Sequence, residues 1–280
     1  MTLRLLTTSI AALILTACGN PQTKNKAAPT APADINVRAT SDLQAPDTII
    51  EATFVPNSVA SWFGHIIMID EKGRLHRSTT DSEVRLVDGG KYKSVLGIAR
   101  IKQAGVFLAI TQKGALKAFI EADDEGNFKG LPISIGDGQR LTAFCDSEVP
   151  NTDTILALDK SGKVQSFNIN ITDNASVNLD AQGPTGASDC TAPMFNSEDS
   201  LDMMDDSDHM AVDMEDKTMT VSIINGLSIS GIKSPSFTTV TTANMGSVFN
   251  NGLVLVAEKG TGRIVLISRD YFIEVLGGQE

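Results

Sequence analysis

The chain has 280 residues, 41% of them hydrophobic and 20% charged, which is enough apolar material for one sizeable core or two small ones. Thirty-four acidic against 23 basic residues set a net charge of −11, which repels phosphate backbones and excludes nucleic acid as a partner. Three Cys and three His, with no C-x-x-C and no H-E-x-x-H, leave little material for a zinc or iron–sulfur centre, so no cofactor is expected.

At the N-terminus a single positive charge, Arg4, precedes an apolar stretch from Leu5 to Leu15 that is too short to span a bilayer. Leu15-Thr16-Ala17-Cys18 follows, and this resembles the lipobox of bacterial lipoproteins. The resemblance implies cleavage after residue 17 and a lipidated Cys18 that anchors the protein to the cell-envelope membrane and leaves its body facing the periplasm. Gly19 after the lipidated Cys favours the outer membrane, by the same resemblance. From 18 to 50, Pro, Ala, Thr, Asn and Asp dominate, and this composition reads as a disordered tether.

From residue 51 the chain repeats itself. His65-Ile-Ile-Met-Ile-Asp-Glu-Lys-Gly73, Val106-Phe-Leu-Ala-Ile-Thr-Gln-Lys-Gly114 and Thr154-Ile-Leu-Ala-Leu-Asp-Lys-Ser-Gly162 share one pattern. His209 to Met219 and Leu253 to Ile264 vary it. Each is an apolar strand, a polar turn and a second strand, the signature of a hairpin. Flanking strand candidates come before each hairpin, at 53–56, 95–101, 141–145, 190–194 and 239–245, and after it, at 84–87, 132–135, 177–179, 227–229 and 272–276. A unit of about 46 residues with four strands looks like one blade of a β-propeller, so the expected fold is all-β, a five-bladed propeller over 51–280. Six blades or an irregular β-sandwich are the alternatives. The WD40 dipeptides and kelch motifs are missing.

Cys145 and Cys190 stand 45 residues apart, close to one repeat, and both fall on or near the first strand of a unit. Adjacent units place those strands side by side, so a Cys145–Cys190 disulfide is expected in an oxidising compartment. From Glu198 to Asp216 the chain carries nine acidic residues and no Lys or Arg. Within it Asp202, Asp205, Asp206, Asp208 and His209 are weak metal-ligand candidates, because the spacing of a Ca²⁺ loop is not met. The plainer reading is a solvated acidic loop. Asp70, Asp159 and Glu258 recur at hairpin turns, where an acidic side chain accepts hydrogen bonds from backbone amides. His65 and His76 read as structural or surface residues.

No nucleophile elbow, Walker A or dinucleotide motif occurs, so the expectation is a non-catalytic binding or scaffold module that takes a protein partner, of basic character, through propeller loops. A channel-centred glycan binder or glycosidase is the alternative, with Asp146 and Asp189 as its carboxylates. Weak metal handling is a third. Aromatic residues make up only 5% of the chain, with Trp62 its single Trp, and this disfavours a sugar site.

Overall fold

The computed structural model describes residues 34–57, 60–101, 104–123, 125–135, 140–145, 154–171, 176–184, 200–203, 210–214 and 217–277. Strands β1 (Ile35–Arg38) and β2 (Ser41–Gln44) come first. Sheet I is the antiparallel meander β3 (Ile49–Val55), β4 (His65–Asp70), β5 (Leu75–Ser78) and β6 (Arg85–Asp88). Sheet II repeats it with β7 (Tyr92–Ile101), β8 (Ala104–Thr111), β9 (Leu116–Glu121) and β10 (Phe128–Leu131). β11 (Ile133–Ile135) then runs parallel to the edge of sheet III, which comprises β12 (Leu141–Phe144), β13 (Thr154–Asp159), β14 (Val164–Ile171) and β15 (Val177–Pro184). Sheet IV joins β16 (Ser200–Met203), β17 (Met210–Met214) and β18 (Lys217–Ile224) to β1, and sheet V joins β19 (Pro235–Thr241), β20 (Leu253–Glu258) and β21 (Arg263–Ser268) to β2. A single helix, α1 (Arg269–Gly277), follows. The fold is therefore nearly all-β, as the hairpin pattern implied.

Four expectations are corrected. The folded body begins before residue 51: β1 and β2 are strands, with Ile35, Val37 and Leu43 buried, because apolar residues alternate along what composition alone marked as tether. The segment 227–229 forms no strand, and β1, parallel to β18, takes the outer place in sheet IV. The segment 272–276 lies in α1, whose Phe272 and Leu276 are buried, while β2 completes sheet V. In sheet II the fourth strand is β10, and 133–135 instead lies on sheet III. The expected strand at 190–194 lies outside the described residues.

The apolar runs are continuous because neighbouring sheets cover both faces of the inner strands. In β4, Ile66 and Met68 pack with sheet V around Leu253 and Leu255, while Ile67 and Ile69 pack with sheet II around Phe107 and Ala109. A second shared core joins sheet II to sheet III, through Leu108 and Phe167 among others, and another joins sheet IV to sheet V, through Val221 and Val254. Each fully buried Ile or Leu contributes roughly 1.5 to 3 kcal/mol, so these shared cores bind the sheets in the order IV, V, I, II, III. Where β7 meets β3 the backbones nearly touch: the Gly97 amide donates to Thr53 Oγ1 at 2.8 Å, and a Cβ at Gly97 would lie 1.9 Å from the Phe54 carbonyl oxygen.

Three hairpin turns are built alike. Gly73, Gly114 and Gly162 all take φ near +80° (79°, 82° and 76°), and each donates its amide to the carbonyl three residues back. Asp70 Oδ1 accepts from the Lys72 and Arg74 amides at 3.0 and 2.9 Å, and Asp159 Oδ1 accepts from Ser161 and Lys163 at 2.7 and 3.1 Å, the turn role expected of them. Glu258 differs. Its Oε1 accepts from the Lys233 amide at 3.1 Å, so it ties the turn to the incoming connection.

Candidate partner-binding rim

At the end of sheets I and II opposite those turns, two loops are locked together around a buried histidine. In the connection from β3 to β4 the Ala60 amide donates to Asn57 Oδ1 at 2.9 Å, and Ser61–Phe63 form a 3-10 turn. Its tip carries Trp62 and Phe63, which are 65% and 47% exposed with ring centroids 6.0 Å apart. Such exposure of two adjacent aromatics is costly in water and suits a surface that another molecule covers.

Two residues on, His65 is buried at 4% exposure. Its Nε2 lies 2.9 Å from Glu121 Oε1 at the end of β9, and because a carboxylate only accepts, Nε2 is the donor. Glu121 Oε2 accepts from the Gly105 amide at 3.1 Å. His65 Nδ1 has no hydrogen-bond partner among the described residues.

The turn from β9 to β10 closes over this pair. Asp123 Oδ1 accepts from the Glu125 and Asn127 amides at 3.1 and 3.0 Å, and its Oδ2 from Asn127 Nδ2 at 2.9 Å. The Asn127 side chain and amide, with the Glu125 amide and Arg77, hold the Asp123 carboxyl below the usual range against a small opposing effect of burial. Arg77, buried on β5, donates through Nη2 to the Glu125 carbonyl at 2.9 Å and to Asn127 Oδ1 at 3.2 Å. Burial pushes the Arg77 guanidinium down, aided by Arg85, while Asp123, Glu121 and Glu125 oppose the change. Gly126 sits against the histidine with φ +74°, and a Cβ there would lie 2.6 Å from His65 Cε1.

The lock extends inward. His65 meets Phe128 edge-on at 5.3 Å, Phe128 meets Phe107 at 5.1 Å, Phe107 stacks on Phe119 at 4.8 Å, and Phe119 meets Tyr92 at 6.2 Å. This row of rings crosses sheet II to the hairpin-turn end, where Lys117 Nζ donates to Tyr92 Oη at 2.9 Å. Burial, then Asp88, raises the Tyr92 phenol far above its usual range. Both loops meet at His65: an exposed aromatic pair precedes it by two and three residues, and the turn that exposes Asp123 and Glu125 packs its Gly126 against the ring. This rim offers recognition chemistry for cations.

His76 is also buried, and its Nε2 lies 2.8 Å from Asp70 Oδ2. Asp159 and Gln165, six residues apart like Asp70 and His76, make the corresponding bond at 2.9 Å, which marks a repeated brace across the hairpin. Cys145, just after β12, is 4% exposed and donates its amide to the Leu156 carbonyl at 2.9 Å. Cys18, Cys190, Asp146, Asp189, Asp205, Asp206, Asp208 and His209 lie outside the described residues, and Asp202 falls on β16 with its side chain undescribed. Among the described residues no three His, Cys, Asp or Glu side chains are grouped to hold a metal ion. No described helix is long and apolar enough to cross a membrane.

No protein-family model matches the chain, and no curated protein matches it. Among solved structures it is similar to Sqt1 of Saccharomyces cerevisiae, at 11% identity and a TM-score of 0.38, over 84% of this chain and 64% of that one.

Proposed function

We propose that this is a lipid-anchored protein of the bacterial cell envelope whose five sheets close as the blades of a β-propeller and whose loops bind a basic protein partner without catalysis. The succession of shared cores supports the ring, and completion of the last sheet by the N-terminal β2 supports it further, since a strand from one terminus joined to the sheet of the other ties the two ends together. The lipobox residues Leu15 to Cys18 support the anchor.

One observation carries the binding reading: Trp62 and Phe63 stand exposed on the loop that leads into the buried His65, and His65 bonds Glu121 and packs against Gly126 of the turn that exposes Asp123 and Glu125. A rigid patch loses little ordering entropy on binding, and aromatic faces next to carboxylates attract Lys and Arg side chains. Titrating the processed protein with a lysine-rich peptide while following Trp62 emission tests it. A saturable change with the cationic peptide, absent with its glutamate-rich counterpart and lost in Phe63→Ala, is the expected result. Equal responses to both peptides would remove the reading.

A further inference from the structure

The hairpin turns form a second surface of opposite character. Turn V and turn I are joined through Thr48, whose carbonyl accepts from the Glu71 amide at 2.9 Å and whose Oγ1 accepts from the Gly260 amide at 3.0 Å. Turn I and turn II are joined through the next connection: the Tyr92 amide donates to the Gly73 carbonyl, and the Gln112 amide to that of Lys91, at 2.8 and 2.9 Å. The turn of sheet III follows beside that of sheet II: a Cβ at Gly114 would lie 3.1 Å from the Leu141 carbonyl oxygen, and Leu141 pairs with Asp159, where the sheet III turn begins.

Along this edge Lys91, Lys113, Lys160, Lys163 and Lys259 are exposed and make no ion pair among the described residues. The neighbouring acids are largely committed. Asp70 is buried against Arg74 and His76, Asp159 is bonded into its turn, Asp47 pairs with Lys72 and Arg74, and Glu258 lies 3.7 Å from Arg263. Among the described acids of turns I, II, III and V only Glu71, beside Lys72, is fully at the surface; at the turn of sheet IV Asp213 is exposed as well, so the lysine edge is that of sheets I, II, III and V. At the other end the exposed charges are mixed: Asp81, Glu83, Asp123 and Glu125 with Arg85 and Lys129. A chain of net charge −11 thus carries a cationic edge.

Distance lets that edge act alone. A six-residue strand rises about 20 Å, while charges in physiological salt are screened within about 8 Å, so a surface meeting the turns does not feel the acids at the far end. The chain also enters the fold there. Asp34 exchanges hydrogen bonds with Thr220, near the start of β18, and β1 runs from that end, Ile35 opposite Val221, away to Arg38 opposite Ile224. Between Cys18 and Asp34 lie residues 19–33, a length that spans about 20 Å as a random coil and about 50 Å at full stretch.

We propose that the lysine edge of the hairpin turns is a docking surface for anionic lipid headgroups, which seats the domain on its own membrane with the aromatic rim turned outward. The orientation rests on the lipid-anchor reading; the affinity of the edge for anionic headgroups does not. The test takes the processed chain from residue 18 with Cys18→Ser, so that no acyl chain contributes, and measures co-sedimentation with phosphatidylglycerol-containing and with pure phosphatidylcholine vesicles. Binding is expected only to the former and to vanish as salt is raised. Lys113→Glu, Lys160→Glu and Lys259→Glu together should weaken it at least about tenfold, since each lysine near an anionic surface is worth about fivefold.

Arg38→Glu, Arg85→Glu and Lys129→Glu together change net charge equally from exposed sites off the edge and should leave binding within about twofold. Equal loss in both variants, or no preference of the parent chain for anionic vesicles, overturns the proposal; a melting curve confirms that each variant is folded. The lipid anchor is tested separately, by whether Cys18→Ser releases the protein from the membrane fraction of the cell, so the two readings fail independently.

Discussion

Asp159 and Asp70 occupy the same turn position in different surroundings, and the contrast gives a pH prediction. At the exposed turn, hydrogen bonds from the Ser161 hydroxyl, the Lys163 amide, Gln165 and the Ser161 amide take the Asp159 carboxyl to about 2. Asp70 is fully buried; burial raises its carboxyl, and the bonds from the Arg74 amide, His76 and the Arg74 side chain outweigh that and leave it lowered. A carboxylate depressed in the folded state stabilises above its unfolded value, near 3.9, and that stability is lost as pH falls through the folded value. For Asp159 the window runs from about pH 4 down to about 2. Carboxyl NMR should give a midpoint close to 2 for Asp159, and Asp159→Asn should flatten the fall of stability over that window; a midpoint near 4 would contradict the turn geometry. Gly126 supplies a second case. Alanine there must adopt φ +74° and meet the His65 ring, so Gly126→Ala should cost on the order of 2 kcal/mol, while Gly130→Ala, with no atom within 4 Å of its added Cβ, should be near neutral.

At the scale of elements, two four-residue strands, β1 and β2, carry weight out of proportion to their length. β1 and β2 cover the outer edges of sheets IV and V, which would otherwise present unpaired backbone groups. Leu43, 8% exposed, packs in the core shared with sheet I, so Leu43→Ala should cost about 2 to 3 kcal/mol, against less than about 0.5 for Ile50→Ala, whose side chain is 46% exposed. Circular dichroism in urea should follow this loss better than fluorescence, since Trp62 is already exposed before unfolding.

These strands also mark where the sequence was legible. The hairpins β4–β5, β8–β9 and β13–β14 were readable because a continuous apolar run, a left-handed Gly and a polar turn are local signals. Pairing of β1 with Val221–Ile224 and of β2 with Arg263–Leu266 spans more than 180 residues and leaves only a weak alternation in a Pro-rich stretch. The rim was less legible still. His65 and Glu121 sit 56 residues apart, and nothing in either segment alone announces their bond.

For the molecule as a whole, the decisive junction is the one between sheets III and IV. Shared apolar cores join IV to V, V to I, I to II and II to III, whereas none among the described residues joins III to IV. A ring needs a fifth seam there. Cys145 follows β12 of sheet III, and Cys190 stands in the sequence that leads to β16 of sheet IV, so a Cys145–Cys190 disulfide would fasten that seam. Closing a loop of that length removes unfolded-state entropy equivalent to about 2 to 4 kcal/mol. The oxidised protein should therefore weigh two hydrogens less than the reduced one, and reduction or Cys190→Ala should lower its stability by about that amount. Because Asp159 is held by hydrogen bonds within its own turn and Trp62 lies on the connection between β3 and β4 of sheet I, the Asp159 titration and the Trp62 response to cationic peptide should survive in Cys190→Ala at temperatures below its midpoint. If unfolding the oxidised protein in denaturant without reductant exposes both cysteines to alkylation, the ring is held at that seam by packing alone, and the loss on Cys190→Ala should shrink to that of one small side chain.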